Sequence, residues 1–166
     1  MKKILFAVAI VAASFCANAQ SGSTSSKTQF GGGIQVALPV GTFGDLYSFG
    51  IGADLQAEHF FSSNVSGTFN TGYTHFIGKD FGGFKLDALG EIPLLAGVRV
   101  YPSTNFFIGG KLGYTVFTGG GSGGGFTYQP QIGYNGTKFQ LGLGYNGVSD
   151  NGTLGHLGLT GIIKFN

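Results

Sequence analysis

From residue 29 to the end, the chain alternates apolar positions with polar or small ones, the period of a β-strand with two unlike faces. In KFQLGLGY, Phe139, Leu141, Leu143 and Tyr145 share one face, while Lys138, Gln140, Gly142 and Gly144 share the other. In HLGLTGIIKF the apolar face holds Leu157, Leu159, Gly161, Ile163 and Phe165, opposite His156, Gly158, Thr160, Ile162 and Lys164. The same template predicts strands near 29–38, 48–60, 65–76, 89–101, 106–117, 126–135, 138–147 and 156–165, and no segment carries a helical period.

The connections between these strands differ in length. PVGTFGDLY, IGKDFGGFKLDA, TGGGSGGG and VSDNGTLG are long, whereas SSN, PSTN and NGT between them are short. Short turns at one end and long loops at the other are the arrangement of an outer-membrane barrel. Asn135-Gly136 is a hairpin signal, because both residues tolerate the positive φ of a type I′ turn, and Pro102 ends its strand where no ladder N–H is needed. The expected fold is therefore all-β: an eight-stranded antiparallel up-and-down transmembrane β-barrel.

The aromatic residues sort by height. Tyr47, Phe49, Tyr73, Tyr114, Phe117, Phe126, Tyr128 and Tyr145 fall beside the long loops; Phe30, Phe60, Phe61, Tyr101, Phe106, Phe107, Tyr134, Phe139 and Phe165 fall beside the short turns or the termini. Two such girdles around an aliphatic band are expected where a barrel meets the two membrane–water interfaces. The girdle set is drawn as Phe49, Tyr73, Tyr114, Phe126, Tyr145, Tyr101, Phe106, Tyr134, Phe139 and Phe165. The opposite face would line a lumen with Gln35, Gln56, Gln129, Gln131 and Gln140 and the charged Asp54, Glu58, Glu91, Arg99, Lys111, Lys138 and Lys164. An eight-stranded barrel is just wide enough for side chains to fill, and charges out of water must pair. The expectation is a salt-bridged polar plug around Glu58, Glu91, Arg99 and Lys111; a selective ion path is the functional alternative.

The N-terminus changes the setting. Lys2 and Lys3, an apolar run from Ile4 to Phe15 and the Ala17-Asn18-Ala19 cleavage pattern form a secretory signal peptide over 1–19. The run is too short to span a bilayer as a helix. A short N-terminal segment, 20–28, would then precede the barrel domain at 29–166. Cys16 stands in the leader after the bulky Phe15, which argues against a lipidated cysteine, and leaves the mature chain without cysteine. Without Lys2 and Lys3, seven basic residues balance seven acidic ones. Charged residues make up 10% of the chain, against roughly 25% in a soluble domain. The absence of a basic cluster argues against nucleic acid.

Catalytic signals are sparse. His59, His75 and His156 lie in three different strands without metal-ligand spacing, so no catalytic, cofactor or metal residues are assigned and no enzyme is expected. Ser62 and Ser63 near His59 are the one tempting group, at the short-turn end. The sequons at Asn64, Asn135 and Asn151 read as turn chemistry. GGGSGGG formally matches a phosphate-binding glycine pattern, but no helix follows it. It is expected to be a flexible extracellular loop, and Phe81 and Phe84 in GKDFGGFKLD a better candidate for surface contact.

With these strands, loops and aromatics in place, the chain resembles the small outer-membrane β-barrels of Gram-negative bacteria, the OmpA/OmpX-like or porin family, over 28–166. LLAGVRVYPSTNFFIGGKLGY is similar to that family's fourth and fifth strands, where a G-x-R-x-Y/F strand precedes a short turn. The Ala-Gln at the leader's end is similar to Bacteroidetes secreted proteins. The resemblance implies a cell outer-membrane location, lipid as partner, a monomer, and reading of the C-terminal strand by the barrel-assembly machinery, although Asn166 follows the usual terminal aromatic, here Phe165. It implies a structural, surface-interaction or narrow porin-like role and no cofactor. Two alternatives stay open: a soluble lipocalin-like barrel whose apolar face lines a ligand cavity, and a lipid-modifying outer-membrane enzyme.

Overall fold

The computed structural model describes residues 27–120, 123–149 and 152–165. The expected signal peptide, Cys16, most of the 20–28 segment, the Asn151 sequon and Asn166 lie outside the described residues. Eight strands follow one another: β1 (Thr28–Val40), β2 (Tyr47–Phe60), β3 (Val65–Gly78), β4 (Leu89–Ser103), β5 (Phe106–Gly119), β6 (Gly123–Asn135), β7 (Phe139–Ser149) and β8 (Thr153–Lys164). Each pairs antiparallel with the next, and β8 pairs with β1 from Gly31↔Lys164 to Val40↔Gly155, closing the barrel. Closure removes the unpaired edge that an open sheet would present.

Period two divides the side chains. Ile34, Leu55, Val98, Leu112 and Leu159 point outward, each more than half exposed, while Gln35, Gln56, Arg99, Lys111 and Thr115 on the opposite parity are buried. The interior is therefore polar and the exterior apolar, the reverse of a lipocalin-like barrel.

Glycine supplies the space that the polar interior needs. Asp54 lies in register between Gly33 and Gly72, Arg99 between Ser66 and Gly109, and Lys111 between Gly97 and Gln129. A Cβ on Gly97 would stand 2.8 Å from Lys111 Cγ, and one on Gly109 2.9 Å from Arg99 Cγ. On the outer wall, aromatic rings lie across glycines in the same way: a Cβ on Gly124 would stand 2.9 Å from the Tyr114 ring, and one on Gly90 2.7 Å from the Tyr73 hydroxyl. Such rings shield a bare strand backbone.

Four expectations need correction. The first long connection contains a short helix, α1 (Thr42–Leu46), too brief for a periodic signal. The glycine run is not mainly loop: Gly119 ends β5 and Gly123–Gly125 open β6, paired with Thr115–Phe117, because glycine readily adopts extended backbone when a neighbouring strand offers its ladder. Loop sorting is consequently clear only for the connections after β1 and β3. The third correction is at Gly136, which begins a three-residue turn and has no positive φ, the longer connection removing the need for a type I′ geometry. The positive-φ glycines of a tight turn are instead Gly82 (φ 68°) and Gly83 (φ 105°), between Phe81 and Phe84. Finally, Lys138 is exposed in the turn before β7 and does not reach the lumen.

Replacing Gly97 with leucine forces Lys111 and the β5 backbone aside. Urea unfolding in detergent micelles should show a loss of roughly 1–3 kcal/mol, the usual range for overpacking.

Candidate functional site: the barrel lumen

The strand parity that buries Arg99 also buries Tyr101, two residues on, and places them beside Glu58 of β2. Arg99 Nη1 donates to Glu58 Oε2 at 2.9 Å, with both side chains almost fully enclosed. The same nitrogen donates to Gln140 Oε1 at 3.1 Å; Nη2 donates to Gln56 Oε1 at 2.9 Å and Gln131 Oε1 at 3.2 Å. Glu58 in turn accepts from Ser66 at 2.6 Å, from Gln140 Nε2 at 2.8 Å and from the Tyr101 hydroxyl. The guanidinium stacks on Phe107, 4.2 Å from the ring centre. Charge-assisted bonds of this kind are the strong ones, and a carboxylate with five donors, Gln56 Nε2 at 3.4 Å included, is well compensated for its lost hydration.

Other charged lumen residues are distributed along the axis. Glu91 lies 3.7 Å from His156 Nδ1, whose Nε2 bonds to Asn146 Nδ2 at 2.9 Å. Lys164, partly buried at the short-turn end, donates to Asn135 Oδ1 and the Gly136 carbonyl. Asp54 is partly buried, its Oδ1 lying over the glycine wall at Gly72. Lys111 is buried but makes neither a hydrogen bond nor an ion pair among the described residues. The structure thus pairs Glu58 with Arg99, while Glu91 and Lys111 form no ion pair with either of them among the described residues.

At the long-loop end the lumen holds an apolar cluster. Phe43 of α1 inserts into the mouth, 4.9 Å from the Phe76 ring and 5.0 Å from Tyr47, with Ala37, Leu89, Phe117 and Val148 around it. Lys79 fastens α1 from the neighbouring loop by donating to the Gly44 carbonyl at 2.6 Å.

Of the girdle residues, Phe49, Tyr73, Tyr114, Phe126, Phe106, Tyr134, Phe139 and Phe165 are exposed on the outer surface and Tyr145 is half-buried against Tyr128. Tyr101 is corrected: it faces the lumen, as do Phe107, Tyr47 and Phe117. Sorting aromatics by height ignored their parity with Arg99 and Lys111, which would have placed Tyr101, Phe107 and Phe117 inside; Tyr47 turns inward through a register shift before Gly50. Sequence reasoning also missed Ser66 and Phe43, the latter because its loop carries no period. His59 bonds to Thr28, while Ser62 and Ser63 bond to Asn64, so this group forms no serine–histidine relay.

No protein-family model and no curated protein sequence matches the chain. Solved structures do. The crystal structure of Ail, the attachment invasion locus protein of Yersinia pestis, superposes with a TM-score of 0.62 at 13% identity, over 86% of this chain and 100% of that one. A de novo designed transmembrane β-barrel gives 0.53 at 13%, over 82% and 94%. OprG from Pseudomonas aeruginosa gives 0.50 at 12%, over 86% and 95%. The fold is the closed eight-stranded antiparallel barrel of small outer-membrane proteins.

Arg99→Ala leaves Glu58 buried without its cation and should cost roughly 3–5 kcal/mol in urea unfolding. Tyr101→Phe removes one donor and should cost roughly 1–3 kcal/mol. An Arg99→Ala variant as stable as the parent would mean that the pair does not form.

Proposed function

We propose that the protein is an integral outer-membrane barrel with a structural or surface-interaction role, closed to ions and without catalytic activity. The observation that carries this reading is the continuous outer belt of exposed aliphatic side chains, edged by aromatics, around an interior that holds the polar groups. Water would be a poor solvent for that exterior, whereas a bilayer hydrocarbon core matches it. Lipid is accordingly the main partner, the barrel-assembly machinery would read β8, and the wholly lipid-facing wall suits a monomer.

Two barriers in series support a lumen closed to ions: the apolar cluster around Phe43 at one end, and the Glu58–Arg99 network towards the other. A hydrophobic constriction blocks ions by dewetting, and the network reaches across the lumen below it from β2 and β4 to β6 and β7. The likeness to a designed barrel is a reminder that this fold by itself implies no particular partner. Specificity would reside in the loops, where Phe81 and Phe84 stand exposed on the Asp80–Lys85 hairpin.

The full chain expressed in a Gram-negative host should fractionate with the outer membrane and migrate faster on gels before boiling than after. In planar bilayers it should conduct no ions, and combining Phe43→Ala with Arg99→Ala should open measurable steps. Recovery as a soluble periplasmic protein would overturn the membrane reading, and steady conductance of the parent protein would overturn the closed lumen.

A further inference from the structure

Between the two barriers the lumen contains a small polar chamber of about 20 Å³, bordered by Arg99, Lys111, Gln131, Gln129 and Asn70. That is room for roughly one water-sized occupant. The side chains around it carry unused donors. Arg99 Nε and Gln131 Nε2 are buried with no hydrogen-bond partner, and the Lys111 ammonium, 6% exposed as a residue, makes no bond at all among the described residues. Two unpartnered acceptors, Gln129 Oε1 and Asn70 Oδ1, also border it, but both belong to amides whose ends a turn of the side chain exchanges.

Charge decides what fits. Two cations, Arg99 and Lys111, converge on one small space, where their repulsion is little screened. Glu58, the acid on Arg99, is already saturated by Arg99, Ser66, Tyr101 and Gln140. Asp54 is near enough for its charge to act on Lys111 but forms no ion pair with it, and its Oδ1 lies along the wall over Gly72. Water in the chamber would leave the two cations repelling each other. A monovalent anion of about water's size accepts from the Lys111 ammonium and screens the repulsion.

We propose that this chamber is a buried halide site, with chloride held by Lys111 Nζ between the Arg99 and Gln131 side chains and enclosed as the barrel closes. Sulfate and gluconate are too large to enter.

The test is refolding of the full chain from urea into detergent micelles in sodium chloride, bromide or gluconate at matched ionic strength, followed by the heat-modification midpoint on gels. The midpoint is expected a few degrees higher in chloride and bromide than in gluconate. Lys111→Met should abolish the difference, and Asp54→Asn, which removes a competing negative charge, should enlarge it. Crystals grown in bromide should show an anomalous peak in the chamber. Equal midpoints in chloride and gluconate for the parent protein, or a halide effect that survives in Lys111→Met, would overturn the proposal and leave water as the occupant. Should Lys111→Met fail to fold, Asp54→Asn decides: a smaller halide effect there contradicts the site.

Discussion

Closure of the sheet is the constraint on which everything else in this molecule depends. A strand in hydrocarbon cannot leave its N–H and C=O groups to water, so the ladder between β1 and β8 is as necessary as the seven ladders between sequential strands. Once eight strands close, the diameter is set, and the interior is too narrow for bulk water yet too wide to leave empty. Period two then sends half of every strand into that space. The chain meets the requirement by pairing large polar side chains with glycine on the neighbouring strand, as at Lys111 with Gly97 and Arg99 with Gly109. Glycine therefore serves the packing of the interior more than the bending of the chain.

The interior is organised by one fully enclosed ion pair. Replacing a buried pair with apolar residues is often harmless, whereas breaking one is costly. Glu58 and Arg99 therefore act less as a source of stability than as a selector of register: a one-residue slip of β2 or β4 would turn one of them to the apolar outer face. Ser66, Gln131 and Gln140 make that selection stricter, because their bonds to the pair bring in β3, β6 and β7. The upper mouth uses the opposite chemistry, with Phe43 carried by α1 into a ring of apolar side chains. The two ends of the lumen thus fail by different routes, one by loss of charge pairing and the other by loss of loop packing.

Much of this was legible in the sequence. The alternation in KFQLGLGY and HLGLTGIIKF assigns each residue of β7 and β8 to a face, because a strand has only two. Strand number and antiparallel order followed from the same signal. The errors arose where another quantity entered. Tyr101 was assigned by height although its parity with Arg99 pointed inward, and Lys138 shares the parity of Gln140 but precedes the first residue of β7. The glycine run lacks side chains and so carries no period, which hid the start of β6. A five-residue helix is too short to announce itself, and with it Phe43 was missed. That Glu58 meets Arg99 rather than Lys111 depends on the stagger of the strands around the barrel, which no local pattern encodes.

The central claim is that the apolar parity faces lipid and the polar parity faces inward. The chain contains no tryptophan, so single probes report without background. The most direct measurement places one tryptophan at a time at Leu112, Leu143 and Thr160 in the barrel refolded into vesicles containing lipids brominated on their acyl chains. Strong quenching at positions 112 and 143 and weak quenching at position 160 is the predicted result. Quenching that is absent from the first two, or as strong at position 160, would contradict the account.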